Sequence, residues 1–145
     1  LRPDSTGSIH IATSDPMSAP KIRPNFLSNE GDRRVLVDGM KLTRRIVQNA
    51  ALDALRGVEL NPGLKVKTDS EWLDFARGNG ETAFHVCGTC KMGEGSDAVV
   101  DSSLRVRGIE GLYVVDASIM PTMVSGNTNA ATFMIAEKAS DMFSR

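Results

Sequence analysis

An α+β fold is predicted by three stretches of this chain. Apolar residues recur at three- and four-residue steps between Asp32 and Arg56, the period of an amphipathic helix. Thr68-Asp69-Ser70-Glu71 has the form of a capping box, which opens a second helix. Around these lie short extended runs, of which Gly7 to Ser14 is the clearest because it alternates apolar and polar residues.

The bulk numbers bound the function classes. At 145 residues, the chain is long enough for one domain with a real core. It is 41% hydrophobic and 24% charged, ordinary for a globular protein. A net charge of −1 argues against a nucleic-acid or anionic-membrane footprint. No apolar run approaches the roughly 18 residues that span a bilayer. Leu1-Arg2-Pro3-Asp4 has neither the basic start nor the apolar core of a signal peptide. It also lacks an initiator Met, which fits a piece of a longer protein. Cys87 and Cys90 are the only cysteines, too few for a disulfide framework. A reducing compartment is the default, so a cytoplasmic or membrane-peripheral setting is expected over a secreted one.

In chain order, the first strand should turn Ile9 and Ile11 to the core and His10 outward, as an ordinary polar strand residue. Asp15-Pro16 and Ala19-Pro20 break the pattern, and an extended piece from Lys21 to Leu27 follows. In the helix over 32–56, Leu36, Met40 and Val47, with Val35, Leu42, Ile46 and Leu55, form the apolar stripe. Arg33, Arg34, Lys41, Arg44 and Arg45 are read as a solvated face rather than an anion site. Gly57 and Asn61-Pro62-Gly63 end this element. The helix opened by Thr68 carries Trp72, Leu73 and Phe75, with Trp72 as a core anchor, and should stop near Gly78-Asn79-Gly80.

Val99-Val100-Asp101 and Leu104-Arg105-Val106 read as short strands. Leu112-Tyr113-Val114-Val115 reads as a buried one, closed by Asp116-Ala117-Ser118. A final helix is expected from Thr128 to Phe143 with Asn127 as N-cap. Its first half is apolar nearly all round, so its N-terminus should be buried and its free amides should need an acceptor.

Two runs carry the chemistry, Phe84-His85-Val86-Cys87-Gly88-Thr89-Cys90-Lys91-Met92-Gly93 and Val124-Ser125-Gly126-Asn127-Thr128-Asn129-Ala130. A neutral imidazole is a good proton acceptor near pH 7, and Gly88, Thr89 and Gly93 let a bulky ligand approach His85. A packing histidine is the alternative, and the residues alone leave both open. Cys87 and Cys90 have the spacing of a dithiol pair or of half a zinc site. Yet Lys91-Met92-Gly93 is a poor helix start, and the chain's remaining His and Cys are only His10 and His85. Small buried residues is the favoured reading of the cysteines. A thiol-redox or zinc module, and a non-catalytic interaction domain, stay as alternatives.

The same two runs resemble the C-terminal signature of the glucose–methanol–choline (GMC) family of flavin oxidoreductases, in the branch of choline dehydrogenases and related FAD alcohol dehydrogenases. His85 with Gly88-Thr89-Cys90-Lys91-Met92-Gly93 is similar to the family's His-Pro-x-Gly-Thr-x-x-Met-Gly. Gly111 to Pro121, Gly126 to Ala130 and Met134 to Ala139 continue in register, and so do Pro20-Lys21-Ile22 and Asn25 to Ser28 upstream. Val86 departs where Pro is usual, and Thr6 where Arg is common.

The resemblance implies an α+β domain, an antiparallel or mixed sheet packed with helices, on the substrate side of an FAD enzyme. Residues 1–95 would be mainly substrate-side, and 96–145 would return to the FAD-binding domain. It implies that His85 handles the alcohol proton during hydride transfer to the flavin and that Asn127 helps hold the substrate oxygen. Asp116 and Ala117 would meet the ribityl and phosphate region, with the amides of Thr128 and Asn129 at the pyrimidine edge. No metal is implied. The Gly-x-Gly-x-x-Gly loop for the FAD pyrophosphate is absent from these residues. The implied partners are therefore a small alcohol and an N-terminal FAD-binding domain of the same protein. By itself the chain is expected to fold without binding FAD tightly or oxidising alcohols.

Overall fold

The computed structural model describes residues 2–144. In chain order they form β1 (Ser8–His10), β2 (Lys21–Arg23), α1 (Glu30–Val47), a 3-10 turn at Ala50–Leu52, α2 (Asp69–Asn79), a second 3-10 turn at Ala117–Ile119, and α3 (Thr128–Phe143). The class is α+β, as predicted. The residues gather into two compact units, one of Gly7–Pro24 with the stretch from Ala83 on, the other of Asp4–Thr6 with Asn25–Thr82. Among the described residues no helix is long and apolar enough to cross a membrane.

In the second unit both helices start on strong local signals. Asn29 caps α1 by accepting from the Gly31 amide at 2.6 Å, and Glu30 and Asp32 put negative charge in the first turn. The cap lies just upstream of the predicted start, so the helix begins at Glu30 rather than Asp32. It also ends earlier, at Val47, because Asn49 turns the chain into the 3-10 turn by accepting from Ala51. α2 carries the predicted capping box, in which Thr68 Oγ1 accepts from the Glu71 amide at 3.3 Å. The Glu71 carboxylate returns to the Thr68 amide at 2.8 Å. α2 ends at Asn79, inside the predicted stop.

Trp72 on α2 is 3% exposed and is the anchor of this unit. The face of α1 turned toward it differs from the predicted one. Val37 is the buried residue of α1, whereas Val35, Leu42 and Ile46 are exposed. Periodicity reports which residues share a face, not which face is covered. Here α2 meets α1 through Lys41 and Arg44, and Leu36, Met40 and Val47 of the stripe line an apolar groove of about 1040 Å³ with Val58, Leu64, Trp72 and Phe75.

Arg34 and Arg45 are exposed as predicted, whereas Arg33, Lys41 and Arg44 are less solvated than predicted. The Arg44 guanidinium lies 4.1 Å from the Trp72 ring centre and donates to Glu59 Oε1 at 2.5 Å. It also donates to the Val66 and Gly63 carbonyls. Lys41 pairs with Asp69, and Arg33 holds the Leu27 and Ser28 carbonyls.

In the first unit β1 and β2 pair antiparallel, with Ile9 opposite Ile22. A Cβ at Gly7 would stand 2.3 Å from the Arg23 carbonyl oxygen, so the ribbon needs glycine there. The core-facing role predicted for Ile9 and Ile11 is not met: both strands are exposed throughout, and Ile11 is 86% exposed. A two-stranded ribbon with no layer on it has no inner face.

The core of this unit is instead built from Val100, Leu104, Ile119, Met120, Ile135 and Ala139, with Val100 fully buried. The three predicted strands around it reduce to single bridges, Met92 with Val100, Val100 with Val106 and Arg105 with Tyr113. Turns interrupt them. Asp101 Oδ1 accepts from the Ser103 and Arg105 amides, and Leu104, Gly108 and Gly111 all have positive φ. Leu112 and Tyr113 are exposed rather than buried. α3 has the predicted limits, but only Thr128, Ile135 and Ala139 of its residues are buried, and Phe133 is 66% exposed.

The capping box gives this fold its first test. Hydrogen bonds from the Thr68 and Lys67 amides hold the Glu71 carboxyl below the usual glutamate range. A carboxylate with a lowered native pKa adds stability above its unfolded pKa and loses it as pH falls through the native value. Thr68→Ala should cost about 1 kcal/mol at neutral pH, read from urea midpoints. Glu71→Gln should flatten the loss of stability below the ordinary glutamate pKa. A variant that keeps the wild-type acid slope would show that the bond back to the amides contributes nothing.

Candidate active site

His85 lies in a stretch without regular secondary structure, half-buried, between an exposed Phe84 at φ 58 and an exposed Val86. What fixes this stretch is its continuation. The Cys90 amide donates to the Ser118 carbonyl at 3.0 Å and the Met92 amide to the Ile119 carbonyl at 2.8 Å. Gly93 then donates to the Val100 carbonyl at 3.1 Å. Gly88 has φ +81, and a Cβ there would stand 3.2 Å from the Met120 carbonyl oxygen. The loop is thus laid along the segment that leads toward α3.

The His85 ring meets that helix directly. Its Nδ1 is 3.1 Å from Thr128 Oγ1 across 43 residues of sequence. Thr128 is the first residue of α3 and is 8% exposed. Asn127 and Asn129 flank it and are exposed. Asn127 occupies the N-cap position with extended backbone angles, but its side chain makes no cap hydrogen bond, in contrast to the predicted cap. α3 also has no acidic residue in its first turn, so its leading amides carry the positive end of the helix dipole without a side-chain acceptor. The buried N-terminus expected from the apolar pattern is found only for Thr128. Gly126 has open space where a Cβ would be.

Asp116 and Ala117 lie on the turn that receives the His85 stretch. Asp116 is exposed, and its Oδ1 accepts from the Ser118 amide at 2.7 Å, while Ala117 packs against the core. The structure therefore brings His85 into contact with Thr128. Among the described residues Asp116, Asn127 and Asn129 make no hydrogen bond to His85. The Thr128 side chain is the site feature that sequence reasoning missed, because it was read for its backbone amide alone. The signal was a hydroxyl at the first helical position, flanked by two asparagines.

Cys87 and Cys90 are free and half-buried. Burial pushes the Cys87 thiol pKa up, which lowers its thiolate fraction and weakens it as nucleophile or metal ligand. Among the described residues no three His, Cys, Asp or Glu side chains are grouped to hold a metal. His10 is exposed on β1. A hydrogen bond from the Lys91 ammonium holds the exposed Asp97 carboxyl below its usual range.

Comparison with known proteins agrees with the motif reading. The model of the GMC oxidoreductase C-terminal region matches residues 3–136. An oxygen-dependent choline dehydrogenase of Escherichia coli is 49% identical over 98% of the chain, which spans 25% of that protein's length. Among solved structures, pyridoxine 4-oxidase from Mesorbium loti superposes with a TM-score of 0.89 at 36% identity, over 98% of this chain and 28% of that one. An FAD-dependent oxidoreductase from Chaetomium thermophilum gives a TM-score of 0.87 at 30% identity, over 99% of this chain and 25% of that one.

The loop geometry makes Gly88 the position to test. Gly88→Ala forces an L residue into a left-handed backbone against the Met120 carbonyl and should cost about 1–2 kcal/mol. The urea midpoint should fall at unchanged slope, and a midpoint equal to wild type would mean that the loop does not need this conformation.

Proposed function

The chain belongs to the GMC oxidoreductase family, and we propose that it is the C-terminal part of an FAD-dependent enzyme that oxidises a primary, choline-like alcohol by hydride transfer to the flavin, with His85 as acid–base group. The observation that supports this most is the contact between the His85 ring and the first residue of an uncapped helix. In this reading the ring is a proton acceptor beside backbone amides that no side chain caps, a pair of features suited to taking a proton and stabilising developing negative charge. The FAD and choline in this reading come from relatives whose names carry them.

The chain spans about a quarter of the length of those relatives. An N-terminal FAD-binding domain of the same protein completes the site in this reading. Residues 96–145 return to that domain, and residues 1–95 lie mainly on the substrate side.

The start of α3 fits a ligand edge that gains negative charge: its amides have no side-chain cap and no neighbouring acid. When bound, the flavin supplies the acceptor for the hydride that leaves the alcohol carbon. His85 takes the hydroxyl proton on the ring nitrogen not engaged by Thr128. Asn127, whose amide is not used in capping, donates to the substrate oxygen and orients it. Thr128 and Asn129, through their backbone amides, and Asp116 and Ala117 are the residues of this chain that would hold the flavin.

In the full-length protein, His85→Ala should lower alcohol turnover by about 10² to 10⁴ with FAD content unchanged, since a positioned acid–base group contributes that much. Near-normal turnover would make His85 a packing residue. Asn127→Ala should leave the melting temperature almost where it was, because no cap bond is lost, while turnover falls. The reverse pattern, collapse of stability with normal turnover per folded molecule, would make Asn127 structural.

A further inference from the structure

We infer that the Thr128 hydroxyl is the positioning partner of His85: it accepts a hydrogen bond from Nδ1–H and so fixes the tautomer in which Nε2 keeps a free lone pair. This rests on His85 being the acid–base group proposed above.

The need for such a partner comes from the loop. His85 follows a residue with positive φ and belongs to no helix or strand, so regular backbone geometry does not set its ring plane. The hydrogen-bond partner of the ring among the described residues is Thr128. That partner is itself well held. It is β-branched, so its χ1 has few choices, and it begins a 16-residue helix. Its carbonyl accepts from Thr132 Oγ1 at 2.9 Å. At 8% exposure it is shielded from water that would compete for the ring.

The direction of the bond follows from what each arrangement permits. A neutral imidazole has one N–H and one bare nitrogen, and a hydroxyl serves either as donor or as acceptor. If Thr128 donates to Nδ1, the ring hydrogen sits on Nε2, and that nitrogen cannot take a proton from the alcohol. If Nδ1–H donates to Oγ1, Nε2 is bare and ready. Once Nε2 has gained the alcohol proton both ring nitrogens are donors, and Oγ1 goes on accepting. One geometry therefore serves both protonation states without a flip, as second partners of functional histidines commonly do. Thr128 is neutral, so it orients the ring without adding charge beside it.

The test uses the full-length enzyme with Thr128→Val, which keeps the shape and removes the hydroxyl, and Thr128→Ser, which keeps the hydroxyl. Thr128→Val should lower kcat by about 10- to 100-fold with KM for the alcohol changed by no more than about twofold. Thr128→Ser should retain most of the wild-type kcat. Nitrogen NMR of ¹⁵N-histidine-labelled protein, with the His85 signals assigned by their loss in His85→Gln, should show the neutral ring protonated at Nδ1, and a mixture of tautomers in Thr128→Val.

A wild-type ring protonated at Nε2 overturns the inference. So does a Thr128→Val enzyme with unchanged kcat and tautomer, or a Thr128→Ser enzyme as impaired as Thr128→Val. Should Thr128→Val not fold, the wild-type spectrum and the Thr128→Ser kinetics decide. Normal turnover by His85→Gln overturns the acid–base reading instead, and with it the catalytic purpose of the contact, whichever tautomer is observed.

Discussion

Two backbone hydrogen bonds, Cys90 to Ser118 and Met92 to Ile119, hold the loop that carries His85 against the segment leading into α3. The rest of the site depends on them. An irregular loop has no ladder of its own, and its ordering entropy, about 1–2 kcal/mol per residue, must be offset by contacts elsewhere. Here the offset comes from Val100, Ile119 and Met120 beneath the pairing, buried in one cluster with Ile135 and Ala139 of α3. The same cluster thus seats the loop and the helix. His85 and Thr128 can meet at 3.1 Å because both are carried by segments packed on it.

The three helices show how local completeness and function separate. α1 and α2 satisfy their own first amides, through Asn29 and through the Thr68–Glu71 box, and both place acids in the first turn. They need nothing from outside to begin. α3 has neither device, although an asparagine stands at its N-cap position. The helix that leaves its positive end open is the one that also presents a histidine beside that end. This asymmetry within one chain is what sets the site apart from ordinary structure.

Burial was the least predictable property. The apolar stripe on α1 and the apolar first half of α3 both suggest coverage, yet Val35, Ile46, Phe133 and Met134 are exposed in this chain. Arg44, read as solvated, is clasped between Trp72, Glu59 and two carbonyls. Periodicity encodes which residues lie on one face of an element. Coverage depends on what packs there, and an arginine with a long apolar stem and five donors competes well for a half-buried place beside an aromatic ring.

What the sequence by itself determined is local. The capping box at Thr68 and the end of α2 near Gly80 follow from interactions among residues a few positions apart, and the limits of α3 from the apolar pattern between Thr128 and Phe143. The family was readable because the wording of the His85 to Gly93 stretch and of the Gly126 to Ala130 segment is itself local, and it matches the family whose model covers residues 3–136. Only the tertiary structure decided which face of α1 is covered, that three apolar runs become single bridges between turns, and that the Asn127 side chain makes no cap bond while Thr128 turns its hydroxyl to His85. That last contact joins residues 43 positions apart, and no propensity or period reaches so far. It is set by the packing of the loop and of α3 on one shared core.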